Sequence, residues 1–157
     1  MKPINNILVP IDFTETSVHA LVQAINLAKK SNAKLILFHA FHRPMVPVEA
    51  EKDIEVSFLE KRKKSINAKF EKLLEEQPEL TKTPHEFHKE LGVSIDCILN
   101  AIDKFNIDFI LMGTKGAHGF EAIWGSKAAK VAKSAKCPVL VIPDNTEIGQ
   151  IKKIGIA

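Results

Sequence analysis

Glycine and hydroxyl residues that could bind an anion are concentrated in one segment of the C-terminal half. Gly113 directly follows an apolar run, Gly116 comes three residues later, and Gly125 and Ser126 precede an alanine-rich stretch. Glycine lets the backbone turn several N–H groups toward an anion. A helix that starts at Ser126 would add free N–H groups and a hydroxyl, and Lys115 would add positive charge. The segment predicts a phosphate-binding loop; the alternative is a turn-rich connection that only packs.

The elements that must position this loop alternate along the chain. Short apolar runs bounded by turn residues predict buried strands, and apolar residues spaced three and four apart predict helices. The predicted strands cover residues 7–10, 35–38, 86–91, 109–112 and 139–142. One predicted helix begins after Thr14 and ends at Lys30, and the other three cover residues 53–76, 93–105 and 126–135. The fold class is therefore α/β, with a parallel sheet and helices on both faces.

The long helix over residues 53–76 is expected to bury one side. Its predicted core face carries apolar residues with a single lysine among them. These residues are Val56, Leu59, Lys63, Ile66, Phe70 and Leu73.

An open parallel sheet binds its ligands beyond the carboxyl ends of its strands. The loops that leave these ends begin at Pro10, Ala40 and Gly113. Asp12 stands in the first of them, where its carboxylate fits either a turn and helix cap or a ligand contact. The phosphate loop and an acidic side chain are therefore expected at one edge of the sheet.

Length and composition exclude several other functions. A chain of 157 residues with a net charge of +3 and scattered basic residues is one domain without the concentrated basic face of a nucleic-acid-binding protein. It has no secretory-type apolar N-terminus and no apolar run of the ~20 residues that a membrane span needs. Its two cysteines and six histidines form no metal-binding pattern, so no structural metal is expected. We expect a cytoplasmic protein.

Three segments of the chain together resemble the universal stress protein family. They are Ile7-Leu8-Val9-Pro10-Ile11-Asp12-Phe13-Thr14-Glu15-Thr16, Gly113-x-x-Gly116 followed by Gly125-Ser126, and Cys137-Pro138-Val139-Leu140-Val141-Ile142-Pro143. The resemblance implies an open, Rossmann-like, five-stranded sheet of order 3-2-1-4-5. It also implies a stress-response protein that binds ATP or a related adenine nucleotide, with Mg²⁺ where the nucleotide carries it, and that forms a homodimer or pairs with a tandem partner domain.

The same resemblance assigns roles to single residues. Pro10, Ile11 and Ala40 match positions that line the adenine pocket, and Asp12 matches an acid near the ribose and the phosphate-bound metal. Met112 and Gly113 match the opening of the phosphate loop. Phosphates are held at the positions that match Gly116, Gly125 and Ser126.

One spacing departs from the family pattern. The link from Gly116 to Gly125 is one residue shorter than is typical of ATP-binding members. The alternative hypothesis is therefore a dimeric interaction module of the same fold, whose shortened loop closes the site. The sequence places no general base, so at most slow ATP hydrolysis is expected. A third hypothesis, an enzyme of the wider adenine-nucleotide hydrolase-like group, lacks that group's pyrophosphatase loop.

The domain is expected to span residues 1–145, followed by a tail over 146–157. The end of the tail, Ile151-Lys152-Lys153-Ile154-Gly155-Ile156-Ala157, repeats the pattern of the first strand. It fits an extra strand, the start of a second repeat, or chance similarity.

Overall fold

Five parallel strands form the centre of the protein in a computed structural model that describes residues 3–43, 52–114 and 126–143. The strands are β1 (Asn6–Pro10), β2 (Lys34–Phe41), β3 (His85–Leu91), β4 (Phe109–Gly113) and β5 (Val139–Ile142). The helices are α1 (Glu15–Ser31), α2 (Lys52–Glu76), α3 (Pro78–Thr81), α4 (Ser94–Lys104) and α5 (Ser126–Ser134). The strand order is β3-β2-β1-β4-β5, which confirms the predicted fold class and order.

β1 lies at the centre of the sheet and is buried on both faces. Ile7 and Val9 belong to a hydrophobic cluster that includes residues of α1, α2 and α3. Leu8 points the other way, into a second cluster formed with α4 and α5. Because neither face meets solvent, the strand reads as a continuous apolar run, as predicted.

The first turns of α2 differ from the prediction. Ile66 and Leu73 are buried, but Val56 is 58% exposed, so its predicted place on the core face is wrong. Ile54 and Phe58 are also exposed, which shows that this end of α2 lies away from the hydrophobic core. Pro78 starts the short helix α3, since proline is favoured in the first turn of a helix.

Among the described helices, none combines the length and apolar character needed to cross a membrane. The proposed tail over 146–157 lies outside the described residues, so its extra strand or second repeat stays a prediction.

Candidate functional site

The loops after β1 and β4 leave the same edge of the sheet side by side. β1 and β4 are hydrogen-bonded neighbours, with Leu8 opposite Ile110. β2 lies on the other side of β1. After β1 the chain continues to β2 and β3 on one side of the sheet, and after β3 it continues to β4 and β5 on the other side. This arrangement is the topological switch point at which open α/β sheets form a crevice for ligands.

Gly113 ends β4 in close contact with α1. A Cβ placed on Gly113 would lie 2.4 Å from Cγ2 of Thr16 and 2.9 Å from its carbonyl oxygen. Both distances are shorter than van der Waals contact, so only glycine fits here without movement of the neighbours. Gly113, the first glycine of the predicted phosphate loop, is thus required for packing, whether or not a ligand is bound.

Asp12 and Thr14 form a hydrogen-bonded turn that begins α1. Oδ1 of Asp12 accepts hydrogen bonds from the backbone N–H of Thr14 (3.1 Å) and from its hydroxyl (2.5 Å). Oγ1 of Thr14 in turn accepts from the backbone N–H of Ser17, and Thr14 is the N-cap residue. The Asp12 carboxylate therefore shapes the loop at the helix N-terminus, which is also where an anion is favoured.

Thr14→Ala is expected to lower the free energy of unfolding by about 1 kcal/mol, because α1 loses its side-chain cap. Thr14→Ser keeps the hydroxyl and should stay within a few tenths of a kcal/mol of the unmodified protein. Urea denaturation followed by circular dichroism measures both values. Equal stabilities of the alanine and serine variants would contradict the assigned cap.

His39 is a residue at this edge that the sequence reasoning did not connect with the site. It is only 9% exposed, and its Nδ1 lies 2.7 Å from the carbonyl oxygen of Ile11. The ring of Phe13 packs on the imidazole with 5.1 Å between ring centroids. One polar side chain inside the apolar run of β2 was the signal available in the sequence.

The predicted site residues fall into three groups. Pro10 ends β1, Ile11 and Asp12 follow it directly, and Ile11 packs in the cluster on the α1 side. Ala40 and Met112 lie at the same edge but pack in the cluster on the α4 side. The others are Gly113, at the α1 contact; Ser126, at the start of α5; and Lys115, Gly116 and Gly125, outside the described residues.

The described residues offer no protein-only metal site, since they contain no group of three or more His, Cys, Asp or Glu side chains that could hold an ion. A single carboxylate such as Asp12 fits Mg²⁺ only where nucleotide phosphates and water supply the other ligands.

An open cavity of about 440 Å³ lies at the opposite, amino edge of the sheet. Its polar residues are tied to one another. Asp108 accepts from the backbone N–H groups of Asn5 and Asn6, and Lys136 pairs with Asp103 at 2.6 Å. The carboxyl edge has the better ligand-binding chemistry, because glycine and a helix N-terminus meet there.

Solved structures share the fold. A universal stress protein in complex with cAMP aligns with a TM-score of 0.68 at 23% identity, covering 90% of this chain and 98% of its own. A universal stress protein family protein from Arabidopsis thaliana, with AMP bound, aligns with a TM-score of 0.57 at 20% identity, covering 90% and 93%.

Sequence comparisons cover most of the chain. The model of the universal stress protein family matches residues 3–143. Universal stress protein A homolog 1 of Coxiella burnetii is 30% identical over 87% of this chain and 94% of its own length. A universal stress protein of Methanocaldococcus jannaschii is 33% identical over 87% and 80%. The chain therefore belongs to the universal stress protein family.

Proposed function

We propose that this chain is a stress-response regulatory protein that binds an adenine nucleotide, ATP or a related one, at the carboxyl edge of its sheet. The observation that carries the proposal is the meeting of the Asp12 turn, the N-terminus of α1 and Gly113 at the switch point. The positive charge at the N-terminal end of a helix suits phosphate. The adenine nucleotides bound by the two structural relatives support the choice of base.

The nucleotide is proposed to lie across the edge, with its base near Ile11 and Ala40. The phosphates would contact the loop that begins at Gly113 and continues through Gly116 to Ser126. Asp12 would take part in holding a phosphate-bound Mg²⁺. Bound nucleotide would alter a dimer or partner surface through its contacts with this loop.

Calorimetric titration with AMP, cAMP and ATP, the last with and without Mg²⁺, tests the proposal. The unmodified protein is expected to bind at least one of them in the micromolar range. Gly116→Val should abolish binding, since a branched side chain would block the backbone approach. Asp12→Asn keeps an oxygen that accepts the Thr14 hydrogen bonds but removes the charge. It should weaken binding of Mg²⁺–ATP by about tenfold or more.

Asp103→Asn is the matched control, because it removes one exposed carboxylate at the opposite edge. It should leave every affinity unchanged. An absence of binding heat with all three nucleotides at millimolar concentration would contradict the proposal. The interaction module with a closed site would then be the better account, and sedimentation velocity would test its homodimer.

A further inference from the structure

The loop after β1 is fastened to β2 by two hydrogen bonds of one residue. The backbone N–H of Ile11 donates to the carbonyl oxygen of Phe38 at 2.9 Å. The carbonyl oxygen of Ile11 lies 2.7 Å from Nδ1 of His39. Because a carbonyl oxygen only accepts, Nδ1 must carry the hydrogen of this bond. The His39 side chain thus supplies the hydrogen bond that holds the carbonyl group of Ile11, one residue past the end of β1.

Phe13, two residues after Ile11, needs such support. Phe13 has a φ of +65°, a left-handed conformation that is strained for a bulky side chain. Its ring packs on His39 and also, at 6.4 Å between centroids, on Phe87 of β3. Nζ of Lys69 on α2 lies 5.8 Å from the Phe13 ring centroid. Contacts from β2, β3 and α2 therefore hold the conformation of this turn.

Asp12 stands between the two residues that His39 contacts. Its carboxylate accepts from Thr14 and so depends on the path of the backbone on both sides. If the Ile11 carbonyl were released, the carboxylate and the start of α1 would shift together.

We propose that His39 is a positioning residue for the nucleotide site, which holds the turn from Ile11 to Thr14 in its binding conformation without touching the ligand. This inference rests on the proposed function for its ligand, but the turn itself can be measured without one.

The charge state of His39 gives the proposal a pH dependence. Burial is the main cause that lowers the pKa of His39 below its ordinary value of 6.5, and Arg62 and Lys69 on α2 lower it further. The Ile11 carbonyl and Asp12 act in the opposite direction. As the pH falls below 6.5, a released histidine takes up a proton before the buried one does, so the closed turn loses stability until the pH passes the lowered pKa.

His39→Asn and His39→Leu separate positioning from simple packing. Asparagine presents an amide N–H near the place of Nδ1, whereas leucine has no donor. His39→Leu is expected to weaken AMP binding about tenfold or more and to speed amide hydrogen exchange over residues 12–18. His39→Asn should bind AMP within about threefold of the unmodified protein. Between pH 7 and pH 5 its affinity should fall less than that of the unmodified protein, because protonation of the AMP phosphate affects both proteins alike.

His85→Leu is the matched control, because Nδ1 of His85 lies 2.9 Å from a backbone carbonyl, that of Thr83, away from the site. It should change neither AMP affinity nor exchange over residues 12–18. Unchanged affinity and exchange in His39→Leu would overturn the proposal, as would an unaltered pH profile in His39→Asn.

Failure of the proposed function is distinguishable from failure of this inference. If the unmodified protein binds no AMP, amide hydrogen exchange over residues 12–18 alone tests the positioning role of His39. Faster exchange in His39→Leu, restored in His39→Asn, supports the positioning role, and equal rates refute it. If His39→Leu does not fold, the exchange rates of His39→Asn and of the unmodified protein are compared at pH 7 and pH 5. A ratio of these two rates that is the same at both pH values would refute the positioning role.

Discussion

Gly113→Ala is expected to lower the free energy of unfolding by about 3 kcal/mol, at the upper end of the range for overpacked sites. The new methyl group would meet Cγ2 of Thr16 at 2.4 Å and the Thr16 carbonyl oxygen at 2.9 Å. The carbonyl belongs to the first turn of α1 and cannot rotate away. Relief requires that α1 or the end of β4 move, and Gly113 is paired with Ile142. Urea denaturation measures the loss.

A double variant separates the two clashes. Thr16→Ser removes Cγ2 and leaves the carbonyl oxygen in place. Gly113→Ala combined with Thr16→Ser should therefore recover only part of the lost stability, and Thr16→Ser alone sets the baseline. If Gly113→Ala were as stable as the unmodified protein, the close approach of α1 to β4 would be refuted.

Phe38→Ala is expected to cost about 3–5 kcal/mol of unfolding free energy, the usual loss for a buried phenylalanine. Phe38 is fully buried in β2, and its ring packs edge-on against Phe105 with 6.4 Å between centroids. Leu8 and Ile36, which share its cluster, would border the cavity left behind. Thermal and urea unfolding check the value.

Phe58→Ala is the matched control, since it deletes the same side chain from the exposed end of α2, where 49% of the residue is accessible. Its effect should stay within about 0.5 kcal/mol. A large loss in Phe58→Ala would show that this part of α2 is covered in solution. A small loss in Phe38→Ala would contradict the assigned core.

The strands could be predicted because a sheet covered on both faces imposes its own pattern. Val139–Ile142 is observed as predicted, and β4 extends the predicted strand by Gly113 only. The weakest pattern, that of β3, was found as well, one residue longer at its start. Alternation of strands and helices predicts a parallel sheet but not the order of its strands; that order came from the family resemblance.

The sequence pattern did not predict features that depend on how far one element extends past another or on what packs against it. The apolar spacing of α2 says which residues share a side of the helix. It does not say how far the helix extends beyond its partners, so Val56 was assigned to the core. Likewise, Phe13 carries no local signal of a positive φ, because packing on His39 and Phe87 determines it.

The roles of the candidate site residues in binding stay predictions. Asp12 and Gly113 both lie beside the start of α1, where Asp12 accepts hydrogen bonds from Thr14 and Gly113 packs against Thr16. The motif does not reveal these structural roles. Lys115, Gly116 and Gly125 lie outside the described residues. The sequence did not indicate the role of His39, because its hydrogen-bond partner is a backbone atom in the loop after β1, 28 residues earlier in the chain.

The central position of β1 has a consequence for how the protein folds. Asn6 and Asp108, which bond at the start of β1 and β4, are 102 residues apart in the chain. Until β4 has been synthesised, β1 can pair only with β2 and exposes an apolar edge. Pairings so distant in sequence slow folding, and unpaired edges favour aggregation. During synthesis the nascent chain is thus most prone to aggregation before β4 emerges. The crevice forms only when β4 pairs with β1.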